Sequence, residues 1–326
     1  LVHTPAHAAI GPLLTYTAGK WVPPGSLVRV PLGSRETVGI AWTTQRRDED
    51  AGAATLEAEV PGLRPIAGLL EGVTPLCSGW CQLVSFAAQY YQRSMGEVAI
   101  AALPLQLRDL TAQQLARRLV ANAKQSAQGP AQPVTQAGQE TPALTPEQSA
   151  ALARIQAGSG PFLLFGATGS GKTEVYLQAA MRVLSEQPEA QVLVMVPEIN
   201  LTPQLEARFR ARFEPQYGPS SVVSMHSGMS NPQRLRSWLA AHQGPARIVL
   251  GTRMAVFASM PRLRLIVVDE EHDPSYKSSE GARYSARDLA LYRGRLDGAK
   301  VVLGSATPSL ETWYHSREAA QGGRYE

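Results

Sequence analysis

Cysteine is nearly absent: Cys77 and Cys81 are the only two in 326 residues. A zinc centre needs about four ligands, and no second cysteine pair or nearby histidine completes a set, so a zinc site is excluded. The spacing places both thiols on one helix face, where a buried pair in a reduced, intracellular protein is expected. Long apolar runs are also missing, and none approaches the length of a membrane span. The opening Leu1-Val2-His3-Thr4-Pro5 has neither the basic start nor the apolar core of a secretory leader. No membrane partner and a cytoplasmic location are therefore expected. There is no dense block of one charge. Lys and Arg total 31 against 27 Asp and Glu, a formal net charge of +4 with a sequence pI of about 9.1. That balance permits a nucleic-acid partner without requiring one. No internal repeat is found. What is present is 44% hydrophobic content, enough for two domains with cores of their own.

The most informative stretch is Gly166-Ala167-Thr168-Gly169-Ser170-Gly171-Lys172-Thr173, which fits the phosphate-loop pattern G-x-x-x-x-G-K-[ST] at every position. Phe162-Leu163-Leu164-Phe165 before it reads as a short buried strand, and Glu174 to Ala180 after it as a helix start. Glycines at 166, 169 and 171 let backbone N–H groups, including that of Ser170, close around phosphate oxygens, and the helix N-terminus adds positive potential. Lys172 is placed to reach the β- and γ-phosphates, and the Thr173 hydroxyl to sit on Mg²⁺. Further on, Leu265-Ile266-Val267-Val268 is a continuous apolar run, as a parallel strand covered on both faces should be. It ends in Asp269-Glu270-Glu271-His272. Asp269 is read as the metal residue, holding the ion with Thr173, and Glu270 as the base that polarises the attacking water. Lys172, Thr173, Asp269 and Glu270 thus form the expected catalytic set around Mg·ATP.

Three regions separate by composition. Residues 1–107 read as a small β-rich domain. Ser26–Leu32 and Thr37–Trp42 alternate like strands around a Gly33-Ser34-Arg35 turn. Leu76–Gln92 is helix-like, with Trp80, Leu83, Val84 and Ala87 on its core face. Residues 108–143 read as a short helix opened by Thr111, then a flexible linker, because Ser126–Ala143 has almost no large apolar residue. Residues 144–326 alternate strands and helices. Strands are expected at Phe162–Phe165, Val192–Val196, Ser221–Met225, Arg247–Leu250, Leu265–Val268 and Val301–Leu303. That is an α/β domain with a mainly parallel sheet, whose ligands bind at the carboxyl ends of the strands.

More signals sit at those ends. Gln148, in Leu144-Thr145-Pro146-Glu147-Gln148, is placed to read an adenine edge with its amide. Pro197 to Gln204, Gly251-Thr252-Arg253 and Gly304-Ser305-Ala306-Thr307-Pro308 offer small hydroxyls and backbone N–H groups suited to phosphates along a strand of nucleic acid. In this order they match the first, RecA-like lobe of a superfamily 2 helicase. The stretches Asp269–Lys277, Glu280–Ala290, Gly169–Leu177 and His226-Ser227-Gly228-Met229 closely resemble the bacterial replication-restart helicase family, PriA. Leu27–Gly33 and Ala101-Ala102-Leu103-Pro104 resemble that family's 3′ DNA-binding domain.

The resemblance implies a protein that recognises stalled forks or D-loops, unwinds 3′ to 5′ with ATP and Mg²⁺, and supports primosome assembly. Single-stranded DNA-binding protein and helicase-loading proteins are the implied partners. It implies DNA contacts from Tyr16, Gly33 and Arg64, from Arg253, and from a loop carrying Tyr276, Lys277, Arg283, Tyr284 and Arg287, which couples DNA contact to hydrolysis. Arg283 and Tyr284 are expected to stack on or clamp a strand. The chain also departs from the family. Ala282 stands where Trp is usual, which removes a stacking ring. Leu14-Thr15-Tyr16 matches a pocket for a DNA 3′ end that has an acidic residue between two aromatics; Thr15 is a poorer acceptor for a terminal hydroxyl. Residues 109–143 are too few for the family's winged helix, and the second helicase lobe with its arginine finger is missing from this chain. ATP binding with poor turnover is therefore expected. The competing readings are a non-hydrolysing scaffold that binds forks and recruits partners, and an RNA helicase of the same superfamily.

Overall fold

The computed structural model describes residues 1–2, 13–43, 62–110, 113–119 and 142–326. They divide into two compact units, Leu1–Gln125 and Ser126–Glu326. Thr111 and most of the expected linker lie outside the described residues.

In the first unit, β1 (Leu27–Leu32) and β2 (Arg35–Ile40) form an antiparallel hairpin in which Leu32 faces Arg35. Gly33 opens the two-residue turn at φ 62°, the left-handed backbone that such turns need and glycine adopts without a Cβ clash. Arg35, expected in the turn, is already the first residue of β2. A short β3 (Gly68–Leu69) pairs with the other side of β1, giving the order β2-β1-β3. β3 reaches only Val28 and Arg29, so Pro31, which has no N–H to donate, sits where β1 has an open edge. Helix α1 (Ser78–Tyr90) buries Trp80, Leu83, Val84, Ala87 and Ala88, a spacing of three and four that includes the whole expected core face. Cys77 and Cys81 are half-buried rather than buried, because they flank that stripe instead of lying on it. Helices α2 (Met95–Ala102) and α3 (Leu105–Asp109) follow, and residues 113–119 are helical (α4).

The second unit is built on a six-stranded parallel sheet in the order β4-β9-β8-β5-β7-β6. The strands are β4 (Phe162–Phe165), β5 (Gln191–Met195), β6 (Val222–Met225), β7 (Ile248–Gly251), β8 (Leu263–Val268) and β9 (Lys300–Ser305). β5 and β7 are wholly buried, which is why they read as unbroken apolar runs rather than alternating ones. The helices are α5 (Pro146–Ala157), α6 (Lys172–Glu186), α7 (Pro203–Tyr217), α8 (Asn231–Gln243), α9 (Ala286–Asp297) and the short α10 (Leu310–His315). Their ends are set by local chemistry. Thr145 with Gln148, and Ser230 with Gln233, form capping boxes. Gly244 and Gly298 end α8 and α9 in the left-handed conformation. One apolar cluster runs from Leu152 and Val175 through Val194, Phe213 and Leu265 to Val302. Because all six strands are parallel, their carboxyl ends share one edge of the sheet, and β9 lies between β4 and β8 there. No helix among the described residues is long and apolar enough to cross a membrane.

Candidate nucleotide site and nucleic-acid surfaces

The phosphate loop leaves β4 and enters α6 at Lys172, with Gly169 and Gly171 both at φ 80°. The glycine at 171 also gives room to Gln148, whose amide nitrogen a Cβ there would strike. Gln148 Oε1 accepts from the Thr145 backbone N–H at 2.9 Å, and its Nε2 donates to the Ser170 carbonyl at 2.9 Å. Its amide is thus a strut between the start of α5 and the phosphate loop, and its second N–H is what it can present to a base. Lys172 turns back over its own loop and donates to the carbonyls of Gly166 at 2.8 Å and Ala167 at 3.4 Å. Its Nζ lies 3.6 Å from Glu270 Oε1. The two motifs, far apart in sequence, therefore meet in one site.

Asp269 follows β8. Its backbone N–H donates to Met195 O at 2.9 Å, and its Oδ1 accepts from the Tyr176 hydroxyl at 2.9 Å. Burial pushes the Asp269 carboxyl above the usual carboxylate range, with the Tyr176 hydrogen bond pulling the other way. Glu270 is held at φ 45°, left-handed backbone that is costly for a residue with a Cβ. That conformation sets its carboxylate between Lys172 and His272, whose Nδ1 is 3.6 Å away. His272 also meets Ser305 Oγ at 2.8 Å and Thr307 Oγ1 at 3.2 Å, tying the end of β8 to the end of β9. Glu271 is fully buried. It accepts from Ser309 N at 2.7 Å, from Thr312 Oγ1 at 3.0 Å and from Arg287 at 3.2 Å.

Thr173 and Asp269 line one open cleft with Asn200, Thr202, Gln204 and Arg208. A hydroxyl and a carboxylate converging there are hard oxygen donors, the set that suits Mg²⁺. The pairing of Tyr176 with Asp269 was not anticipated from the sequence. The only available signal was its place one helical turn after Lys172 (i, i+4), on the face that packs against the sheet.

The expected DNA contacts divide into two groups. In the first unit, Arg64 donates to the Gly33 carbonyl at 3.1 Å, Thr17 N–H donates to Arg64 O at 3.1 Å, and Tyr16 donates to Pro31 O at 3.0 Å. Tyr16, Gly33 and Arg64 thus converge at the hairpin turn, with Tyr16 half-buried. In the second unit, the two tyrosines of the 276–287 loop are packed inward. Tyr276 is 3% exposed and donates to Asp269 O at 2.7 Å. Tyr284 is 6% exposed, bonds Met254 Sδ at 2.8 Å and packs edge-on to Phe257. Neither ring presents a free face at the surface. Arg287 is engaged by Glu271, Asp288 and Ser309. Lys277 and Arg283 are exposed. Arg253 is half-buried, with one long hydrogen bond to Ser275 O at 3.4 Å.

Comparison with known proteins gives two family matches. Residues 3–104 match a 3′DNA-binding domain (3′BD) and residues 145–314 match the DEAD/DEAH box helicase family. The chain is similar to replication restart protein PriA of Bacillus subtilis, 47% identical over 51% of this chain and 19% of that protein. It is similar to PriA of Rickettsia prowazekii, 35% identical over 89% of this chain and 40% of that protein. The match to PriA of Synechocystis is 46% identical over 54% of this chain and 21% of that protein. The chain thus spans about a fifth to two fifths of the length of these relatives. With more than half of its residues matched by the helicase family and most of the rest by the 3′DNA-binding domain, the chain belongs to the DEAD/DEAH box helicases, in the arrangement of the PriA proteins.

Proposed function

We propose that this chain is the DNA-recognising and nucleotide-binding part of a replication-restart helicase. The observation that carries the reading is the approach of Lys172 to Glu270 at 3.6 Å, beside a cleft lined by both Thr173 and Asp269. Phosphate oxygens take the N–H groups of residues 166–173, and Lys172 exchanges its loop carbonyls for the β- and γ-phosphates. Thr173 and Asp269 hold Mg²⁺, which neutralises charge on the phosphates when bound. Glu270 accepts the proton of the attacking water. Gln148 contacts the adenine through its remaining N–H.

The first unit binds a DNA 3′ end around Tyr16, Gly33 and Arg64, on forks or D-loops. Lys277, Arg283 and Arg253 contact the phosphates of a strand on the second unit, while Tyr276, Tyr284 and Arg287 support that surface from within. The domain boundaries that fit this division are residues 1–107, a connecting stretch 108–143, and 144–326. Single-stranded DNA-binding protein and primosome or helicase-loading proteins are the proposed partners, and the cytoplasm the proposed location.

An arginine finger contributes about 10³–10⁵ in rate in related phosphoryl-transfer enzymes, and the residues proposed for this nucleotide site include none. The chain alone therefore binds Mg·ATP and turns it over slowly. The test is steady-state ATP hydrolysis with and without forked DNA, beside Lys172→Ala. Fork binding with turnover near the variant's is expected. Rapid fork-stimulated turnover that the variant loses overturns the slow-turnover reading. A second reading, a fork scaffold indifferent to nucleotide, is favoured by the burial of Tyr276 and Tyr284. A tenfold shift of fork affinity with ATP excludes it.

A further inference from the structure

Tyr176 is 2% exposed and lies on α6 one turn after the phosphate-loop lysine. Its side chain leaves the helix toward the sheet and ends beside the carboxyl ends of β8 and β9. The hydroxyl donates to Asp269 Oδ1 at 2.9 Å. Room for it exists because residue 304 is glycine: a Cβ there would overlap the Tyr176 oxygen. The same carboxylate is close to that Cβ position, at 3.3 Å. A phenol, a carboxylate and a bare backbone therefore fit together at one point, from three elements.

A buried tyrosine needs a partner for its hydroxyl. The partner here is the carboxylate that lines the cleft with Thr173. The main chain of Asp269 is fixed separately, by Met195 O and by the Tyr276 hydroxyl; its carboxylate is held by the Glu270 backbone N–H and, from across the site, by the Tyr176 hydroxyl.

We propose that Tyr176 is a positioning residue for the metal site: its hydroxyl orients the Asp269 carboxylate toward the Mg²⁺ that Asp269 shares with Thr173. The phosphate-loop helix thereby carries the loop, its lysine and the orienter of the metal carboxylate as one rigid piece. The inference rests on the reading of Asp269 as a metal residue.

The test titrates Mg²⁺ into the full chain with a fluorescent ATP analogue, comparing wild type, Tyr176→Phe and Asp269→Asn. Tyr176→Phe deletes one oxygen and keeps the buried ring, and thermal melting checks that it folds. Outer-shell partners of metal ligands are worth about 10–100-fold in metal affinity. The half-saturating Mg²⁺ concentration in Tyr176→Phe should rise by that factor, while nucleotide affinity without Mg²⁺ stays at the wild-type value. Gly304→Ala, which keeps residue 176 a tyrosine but drives its hydroxyl out of the space beside Asp269, should raise it in the same direction. A wild-type Mg²⁺ dependence in Tyr176→Phe, with that dependence lost in Asp269→Asn, overturns the role of Tyr176 and leaves the site standing. A wild-type dependence in Asp269→Asn overturns the reading of the site and this inference with it.

Discussion

Single residues in this chain show what a motif can and cannot disclose. The positions of Lys172, Thr173 and Asp269 were legible because they are fixed by backbone: a glycine loop, a helix start and a buried strand end leave few places for those side chains to go. Tyr276 and Tyr284 were not, because sequence shows that an aromatic is present but not which way it faces. The core under the loop takes both rings. Glu270 shows a further limit, since its positive φ appears only in three dimensions. The thiols give a residue-scale prediction. Burial pushes the Cys81 thiol up to about 11, with the neighbouring Cys77 adding to the shift. A free thiol has a pKa of about 8.5, so at pH 8 the folded chain should hold far less Cys81 thiolate than the unfolded one. Alkylation of Cys81 by iodoacetamide, read by mass spectrometry, should be at least tenfold slower in the native chain than in urea. Equal rates would contradict the assigned burial.

At the scale of elements, periodicity was a faithful guide and side-chain networks were not. The expected core face of α1 is the observed one, because a helix packed on one side must repeat its apolar residues every three or four positions. The six strands of the parallel sheet were found within two residues at each end, the largest differences being at the start of β8 and at the end of β9, which runs on to Ser305. Trp80 is 1% exposed in the core of the first unit, and Trp80→Ala should cost about 3–5 kcal/mol, measured by urea unfolding. The Glu271 network was illegible, since it joins the end of β8, the start of α9 and the N-cap of α10. Breaking one partner out of a buried ion pair costs about 3–5 kcal/mol, so Glu271→Ala should destabilise the second unit by that amount. It should also speed amide exchange at Ser309, whose N–H that carboxylate accepts. Unchanged exchange there would show that α10 is held by other contacts.

For the whole molecule, the proposed function assigns two kinds of chemistry to two units with separate sheets. The first places Tyr16 and Arg64 at a hairpin turn, and the second places Lys172, Thr173, Asp269 and Glu270 along one edge of a parallel sheet. Tyr16→Ala combined with Arg64→Ala should weaken binding to a fork with a free 3′ end by about tenfold, since base–aromatic stacking alone is worth about 1–3 kcal/mol. Nucleotide affinity should not change, and fluorescence anisotropy reads both. The measurement that tests the central claim most directly is equilibrium binding of a fluorescent ATP analogue, in the presence of Mg²⁺, to the chain and to Lys172→Ala. Hydrogen bonds to charged groups are worth about 1.5–3 kcal/mol, so the variant should lose about tenfold to a hundredfold or more in affinity. Equal affinity for the two proteins would show that the nucleotide is not held where the phosphate loop and the end of β8 meet.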